Sequence, residues 1–249
     1  TIVSEYLNDV GISNSWRDAR ELVITDAVFR DASVNWVETE KHIKTKIDTS
    51  ITTIVQGFIA GDLNGNTTTL GREGSDFTAG IFAYCLDAES LTIWKDVSGV
   101  LNADPREFED PQLLEQISYE ETIEMAFYGA SVIHPKTIKP IQNKKIPLIV
   151  RSFKDLNSKG TKVTNKAEMI PHIPCYIVKK NQVLVSIASL DFSFIVEENI
   201  SEIFKLFHKY QLKVNLIQNS AISFSVCLDN NLNHFDQLFN EIKVLYNVS

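Results

Sequence analysis

The sequence predicts an α/β chain in two parts: a largely parallel sheet with flanking helices, then a smaller β-α-β-β-α-β unit. Three observations predict it. Between residues 23 and 152, short β-branched or apolar runs alternate with stretches of helical period, the order that builds a parallel sheet. Near 164–176 the period lapses, in Lys166-Ala-Glu-Met-Ile-Pro-His-Ile-Pro174 with its two prolines. From 177 onward, alternation and helical spacing follow one another in the ferredoxin-like order. The boundaries read from this are 1–165, a linker at 166–176, and 177–249.

The elements follow in order. Thr1 to Val10 reads as the end of an amphipathic helix with Ile2, Val3, Tyr6, Leu7 and Val10 on one face, stopped at Gly11. Val23-Ile24-Thr25 is a short strand, and 34–47 a helix marked by Trp36, Val37, His42 and Ile43. Thr52 to Ile59 predicts a buried strand running directly into a glycine-rich loop, followed by a helix at 75–88 and a strand at Leu91–Trp94. Ser118 caps a helix to Tyr128, with Glu120 and Glu121 in its first turn and Gly129 past its end. Another helix reaches about Asn143, and Ile146 to Ser152 returns to the sheet. In the second part Val183, Val185 and Ile187 alternate, then Ile200, Ile203, Phe204, Phe207 and Tyr210 fall at helical spacing. Leu212, Val214 and Leu216 alternate, as do Ile222, Phe224, Val226 and Leu228. Leu232, Phe235, Leu238, Phe239 and Ile242 are helical again, and Val244 to Val248 forms a last strand.

Composition narrows the classes. The 249 residues are 44% apolar and 22% charged, with a formal net charge of −8. No basic run exceeds two residues, which argues against a nucleic-acid surface. Cys85, Cys175 and Cys227 lie far apart in apolar settings, as expected of buried thiols in a reducing cytoplasm, and the five histidines are scattered, so no metal site is expected. No apolar run reaches the roughly 18 residues that span a membrane.

Two loops carry the chemistry. Gly65-Asn-Thr-Thr-Thr-Leu-Gly-Arg-Glu-Gly-Ser-Asp76 runs into a helix, where free amides and the helix dipole favour an anion. Arg72 adds a planar donor fork matched to a carboxylate or phosphate. The second loop, Ile93 to Arg106, sets Asp96, Asp104 and Arg106 around the turn Ser98-Gly99. Both follow strand ends, where open α/β sheets bind ligands. Ser75 and Asp76 also fit as caps of the helix that follows, Phe58 as a core residue, Arg106 as a surface turn residue, and His134 as structural.

Three blocks stand in order: Gln56-Gly-Phe58 before the Thr67 to Asp76 run, Asp96-Val-Ser-Gly-Val100 with Asp104-Pro-Arg106, and Gly129-Ala-Ser-Val-Ile-His-Pro135. Together they closely resemble the aspartate kinase signature within the amino-acid kinase family, and the tail resembles an ACT domain. The resemblance implies an amino-acid-kinase-like sheet, an ACT-type module, and transfer of the ATP γ-phosphoryl group to the side-chain carboxylate of L-aspartate, with Mg²⁺ bridging the phosphates. It implies Arg72 on the substrate α-carboxylate, Ser75 and Asp76 at the aspartate site, Asp76 on its ammonium, and Phe58 as a wall. Lys95, Asp96, Leu101, Arg106, Ser131 and Val132 fall where the family contacts nucleotide. An effector amino acid, lysine or threonine, would bind an ACT module near Asn215, Asn219 and Ser220, with a homodimer formed through 177–249.

The chain also departs from the family. Lys95 stands where many members carry threonine, Ser131 where they carry lysine, and Leu101 where many carry tyrosine, which reads as a relocation of phosphate-facing charge. The Lys-Phe-Gly-Gly-Thr-Ser-like loop with which the family begins is not found, and the chain starts without methionine. The expectation is therefore a trimmed portion of the enzyme, catalytically silent by itself. A different acceptor within the same family (glutamate or N-acetylglutamate) and a non-catalytic amino-acid sensor are the alternatives.

Overall fold

The structure, a computed structural model, describes residues 1–130, 132–191, 193–230 and 232–249. The chain divides into two compact units, Thr1–Ile177 and Val178–Ser249.

The first unit opens with α1 (Ile2–Asp9), β1 (Asn14–Arg17), a 3₁₀ turn at Ala19–Glu21, β2 (Ile24–Thr25) and α2 (Trp36–Lys46). Then come β3 (Thr52–Val55), β4 (Ile59–Asp62), β5 (Thr67–Thr69), α3 (Gly74–Cys85) and β6 (Leu91–Lys95). It closes with β7 (Gln116–Ser118), α4 (Tyr119–Tyr128), α5 (Pro135–Asn143), β8 (Leu148–Ser152) and β9 (Thr161–Thr164). Parallel pairing joins β1 to β3, β2 to β4, β6 to β8 and β7 to β9, while β4–β5 and β8–β9 are antiparallel. The fold is thus mixed α/β with parallel strands.

Three differences from the expected elements have physical reasons. The run 52–59 is not one strand: it bends at Gln56-Gly57-Phe58 into β3 and β4. The loop expected from Gly65 to Asp76 is partly strand, because three β-branched threonines form β5 against β4. Thr68 is buried and shares a 2.6 Å hydrogen bond with the buried hydroxyl of Thr25, which also donates to the Asp26 carbonyl at 2.9 Å. The apolar face of α1 (Ile2, Val3, Tyr6, Val10) is exposed, and its buried residue is Ser4, hydrogen-bonded to Asn14. The α4 cap forms as expected: the Ser118 hydroxyl accepts from the Glu121 amide at 3.1 Å, and the Ser118 amide donates to Glu121 Oε2 at 3.2 Å. Residues 166–176, expected as a linker, lie along the first unit, since Ile170 exchanges hydrogen bonds with Gln116 and the Tyr176 amide donates to Asn102.

Helix α3 is the axis of this unit. Phe77, Ile81 and Cys85, one turn apart, face a core with Leu22, Val23, Ile43 and Leu70, while Ala79 and Ala83 face a second core with Leu91, Ile93 and Leu148. Gly80 lets α5 approach closely: a Cβ there would lie 3.0 Å from the Thr137 carbonyl oxygen. Buried on both sides, α3 holds its N-terminus in a fixed place.

The second unit runs β10 (Gln182–Ala188), α6 (Glu197–Lys209), β11 (Val214–Asn219), β12 (Ser223–Asp229), α7 (Leu232–Ile242) and β13 (Asn247–Val248). Its sheet has the order β11-β12-β10-β13, antiparallel throughout. Val185, Ile187, Phe224, Val226 and Leu228 pack from the strands onto Ile203, Phe207, Phe235, Leu238 and Ile242 of the helices. The element order and the alternation along β10 and β12 are those read from the sequence, whereas a bulge between Val214 and Leu216 breaks the alternation expected of β11, leaving Leu216 and Ile217 both exposed, and the last strand is only Asn247–Val248.

Candidate functional site

The bend between β3 and β4 is set by contact with the start of α3. A Cβ on Gly57 would sit 3.0 Å from both Ser75 Cα and Cβ, so glycine lets the two segments meet. Phe58 follows with φ +75°, a region that bulky side chains rarely occupy. It is held there because its amide donates to Thr78 Oγ1 at 3.0 Å and its carbonyl accepts from the Leu70 amide at 2.9 Å. The ring lies over Gly74, where a Cβ would come within 2.7 Å of it. Phe58 is 41% exposed, so it is not a core residue. Strain of this kind costs about 1–3 kcal/mol and gathers at binding sites.

The start of α3 is open to an anion. Gly71 has φ +72°, and Glu73, the N-cap, is left-handed with φ +56° and makes no side-chain cap bond. The Gly74 amide donates to the Gly71 carbonyl at 3.1 Å, and with no side-chain cap the Ser75 and Asp76 amides and the helix dipole are left to favour an anion. Arg72 is exposed at this end and has no hydrogen-bond or ion-pair partner among the described residues. Ser75, also exposed, lines with Val55, Gly57 and Phe82 a groove of about 620 Å³ beside the helix.

Asp76 turns the other way, towards the end of β6. Lys95 Nζ lies 2.9 Å from Asp76 Oδ2 and 3.6 Å from Glu73 Oε2. The side chains of Lys95 and Asp76 are only 19% and 18% exposed. Asp76 Oδ2 is closed to solvent and has no aligned hydrogen bond, although the ammonium is at contact distance. The distance makes this an ion pair; the angle leaves the oxygen's lone pairs unfilled. Nothing in the sequence patterns had singled out Glu73. The available signal was spacing: positions 73 and 76 lie three apart, on one face of a helix start.

Beyond Lys95 the second loop is partly committed to itself. Asp96 is exposed next to Lys95. Leu101 bridges Leu113, and the Val100 amide donates to Thr161 Oγ1 at 2.8 Å. Arg106 forks onto Asp104, with Nε–Oδ1 3.0 Å and Nη2–Oδ2 2.7 Å, and is 81% exposed. Val132 packs at the rim of the second core, and Ser131 lies outside the described residues. The structure therefore gathers Phe58, Arg72, Ser75, Asp76 and Lys95 at one helix end. Leu101 and Arg106 serve the architecture of their own loop. Among the described residues no three His, Cys, Asp or Glu side chains converge on a point that could hold a metal ion, and no helix is long and apolar enough to cross a membrane.

In the second unit the expected effector residues are separated. Asn215 accepts from Lys179 Nζ at 2.6 Å and donates to Asp229 Oδ1 at 2.7 Å and to Gln182 Oε1 at 2.5 Å. Ser220 instead closes the β11–β12 hairpin, its hydroxyl 2.7 Å from that of Ser223. Asn219, pairing with Phe224, adjoins it, so Asn215 lies at the opposite end of the strand, about 16 Å away.

The Asn215 network has a pH consequence. The Gln182 amide first, then Lys179 and Asn215, hold the Asp229 carboxyl down at about 2. A carboxyl depressed in the folded state adds stability above its unfolded value of about 4, and that stability is lost as pH falls through the folded value. The second unit is therefore expected to lose urea resistance between about pH 4 and 2. Asp229→Asn should flatten that part of the profile, and an unchanged slope in the variant would show that other carboxyls set it.

A strand bend pressed onto a helix start that has no side-chain cap, beside a carboxylate–ammonium pair, is an arrangement suited to an anion in an α/β fold. Residues 1–152 match the amino acid kinase family, and the chain belongs to that family. It is 33% identical over 229 residues to lysine-sensitive aspartokinase 3 of Escherichia coli, covering 90% of this chain and 51% of that protein. The crystal structure of E. coli aspartokinase III in complex with aspartate and ADP superposes with a TM-score of 0.73 at 30% identity, over 99% of this chain and 57% of that one. The aspartate kinase of Clostridium acetobutylicum superposes with a TM-score of 0.87 at 25% identity, again over 99% and 57%. The chain thus spans about half the length of these relatives.

Proposed function

We propose that the first unit carries the amino-acid site of an aspartate kinase, which transfers the γ-phosphoryl group of ATP to the side-chain carboxylate of L-aspartate. One observation carries the reading: an unpaired Arg72 just before the N-cap, and the Ser75 hydroxyl and Asp76 carboxylate of the first turn, meet at the start of one helix that has no side-chain cap. These groups complement the carboxylate and ammonium of an α-amino acid, and the aspartokinase relatives favour aspartate over other acceptors.

In this reading an oxygen of the substrate side chain attacks the γ-phosphorus, the bond to the β-γ bridging oxygen breaks, and ADP departs. Such transfers need chiefly in-line positioning and neutralised charge. Arg72 orients the α-carboxylate by its fork, Asp76 receives the ammonium, Ser75 donates to the substrate, and Phe58 limits its length. The α3 amides with Lys95 and Asp96, at and just past the end of β6, are read as the nucleotide side, to which the family resemblance alone also assigns Leu101, Arg106, Ser131 and Val132. The uncapped first turn and the adjacent ammonium fit a polyphosphate. Mg²⁺ enters with ATP as its counter-ion, carried by phosphate oxygens.

A coupled ADP-release assay on the complete gene product with L-aspartate, L-glutamate and N-acetylglutamate tests this. Turnover that depends on aspartate supports it. Turnover on another acceptor alone moves the enzyme elsewhere in the family, and amino-acid binding without turnover leaves a sensor.

We read the second unit as an ACT-type module that binds an amino-acid effector and pairs with a second copy. Its β-α-β-β-α-β order and the exposed Leu216 and Ile217 of edge strand β11 support this. Lysine is expected to bind weakly at Asn215, because the amide supplies no countercharge and Lys179 already occupies the network. Micromolar lysine affinity that Asn215→Ala abolishes, seen by calorimetry, would overturn this expectation.

A further inference from the structure

Lys95 sits at the junction of the two charges that the proposed reaction must manage. Its ammonium is 2.9 Å from Asp76 and 3.6 Å from Glu73, and Glu73 is the N-cap of α3. Asp76 Oδ2 is closed to solvent beneath it. A second ammonium brought to the same carboxylate is repelled by Lys95 and finds its charge already neutralised, so it binds there more weakly than it would alone. A substrate ammonium therefore binds Asp76 more tightly once Lys95 has turned away from Oδ2. Lysine is suited to move: a point charge on a flexible four-carbon stem redirects by rotation about its own bonds.

We propose that Lys95 is a positioning residue that makes amino-acid binding depend on nucleotide binding, an inference that rests on the aspartate kinase reading of this site. Without nucleotide, Lys95 neutralises Asp76 and Glu73 and covers the ammonium seat. A polyphosphate at the start of α3 offers it more negative charge than the acidic pair does. Lys95 then turns to the phosphates, and Asp76 is released to the substrate. No covalent bond is made or broken; the pairs of Lys95 with Asp76 and Glu73 are exchanged for pairs of Lys95 with phosphate and of Asp76 with the substrate ammonium.

The geometry makes the exchange reciprocal. The free energy by which nucleotide tightens the amino acid must equal that by which the amino acid tightens nucleotide. The out-of-line ion pair is the reason the exchange is feasible. Asp76 Oδ2 has no aligned hydrogen bond to lose when the ammonium leaves.

The test is calorimetry on the complete gene product, with L-aspartate titrated in the absence and presence of the ATP analogue AMP-PNP with Mg²⁺. In the parent protein the analogue should tighten aspartate about tenfold, and aspartate should tighten the analogue by the same factor. In Lys95→Thr, whose short side chain leaves Asp76 uncovered, aspartate alone should bind about as tightly as it does to the nucleotide-loaded parent, and the coupling should fall to near one. Lys95→Arg keeps a long cation and should keep part of the coupling, which controls for a variant that merely folds poorly. Equal coupling in parent and Lys95→Thr overturns the proposal while leaving the functional reading intact. So does a parent protein that binds both ligands without coupling. Failure of the parent to bind either ligand overturns the functional reading and the proposal with it.

Discussion

Gly160→Ala is expected to lower the melting temperature of the first unit by about 10 °C, from a loss of about 4 kcal/mol. Gly160 has φ +70°, and a Cβ there would fall on the carbonyl oxygen of Val150 and within 2.9 Å of Arg151 Cγ. The backbone region alone disfavours alanine, and the carbonyl cannot give way because it belongs to β8. The displacement would be passed to Thr161, the first residue of β9, whose hydroxyl accepts from the Val100 amide at 2.8 Å and donates to the Leu114 carbonyl at 2.6 Å. Moving it leaves buried polar groups unpaired on the loop that carries Leu101 and Arg106. Calorimetric or circular-dichroism melting decides the matter. A shift of under about 2 °C would mean that the turn before β9 relaxes without loss.

Arg72→Ala should reduce kcat/KM for aspartate by about tenfold to a hundredfold in the complete gene product, with the change concentrated in KM. Arg72 has no structural partner among the described residues, so its loss should not disturb the fold. On the proposed reading, what disappears is a bidentate contact to the substrate carboxylate, the strongest kind of polar contact such a site offers. Arg72→Lys restores the charge but not the fork and should recover only part of the affinity. Melting curves of both variants should match the parent. Kinetics unchanged in Arg72→Ala would remove the α-carboxylate from this position.

Much of the fold was legible because local signals agreed. The capping box at Ser118 and Glu121, the glycine past Tyr128 and the β-α-β-β-α-β order of the tail each combine a period with a punctuating residue. The short strands β1, β7 and β9 were not legible, since three or four residues carry no readable period and are fixed by their partners. The bend at Phe58 escaped for a different reason. Its cause is Ser75, far along the chain, and no local pattern records a contact of that range. At the site, residue types announced Arg72 and Asp76, while the approach of Lys95 to Asp76 and Glu73 depended on how β6 ends beside α3. Asn215 was identified by position, yet its partners Lys179, Gln182 and Asp229 come from two other strands and the segment before them.

The threonine pair between β2 and β5 constrains the order in which this sequence can drift. After Thr68→Val, Thr25 can still donate to the Asp26 carbonyl, so that step strands no hydroxyl. The reverse order, Thr25→Val first, leaves the fully buried Thr68 hydroxyl with no described side-chain partner, at a cost of about 1–3 kcal/mol. An apolar pair at both positions is nearly neutral once reached, and valine suits a strand. Descendants of this chain should therefore include Thr68→Val alone and Thr68→Val together with Thr25→Val, while Thr25→Val alone stays rare: a one-way path written into a single hydrogen bond.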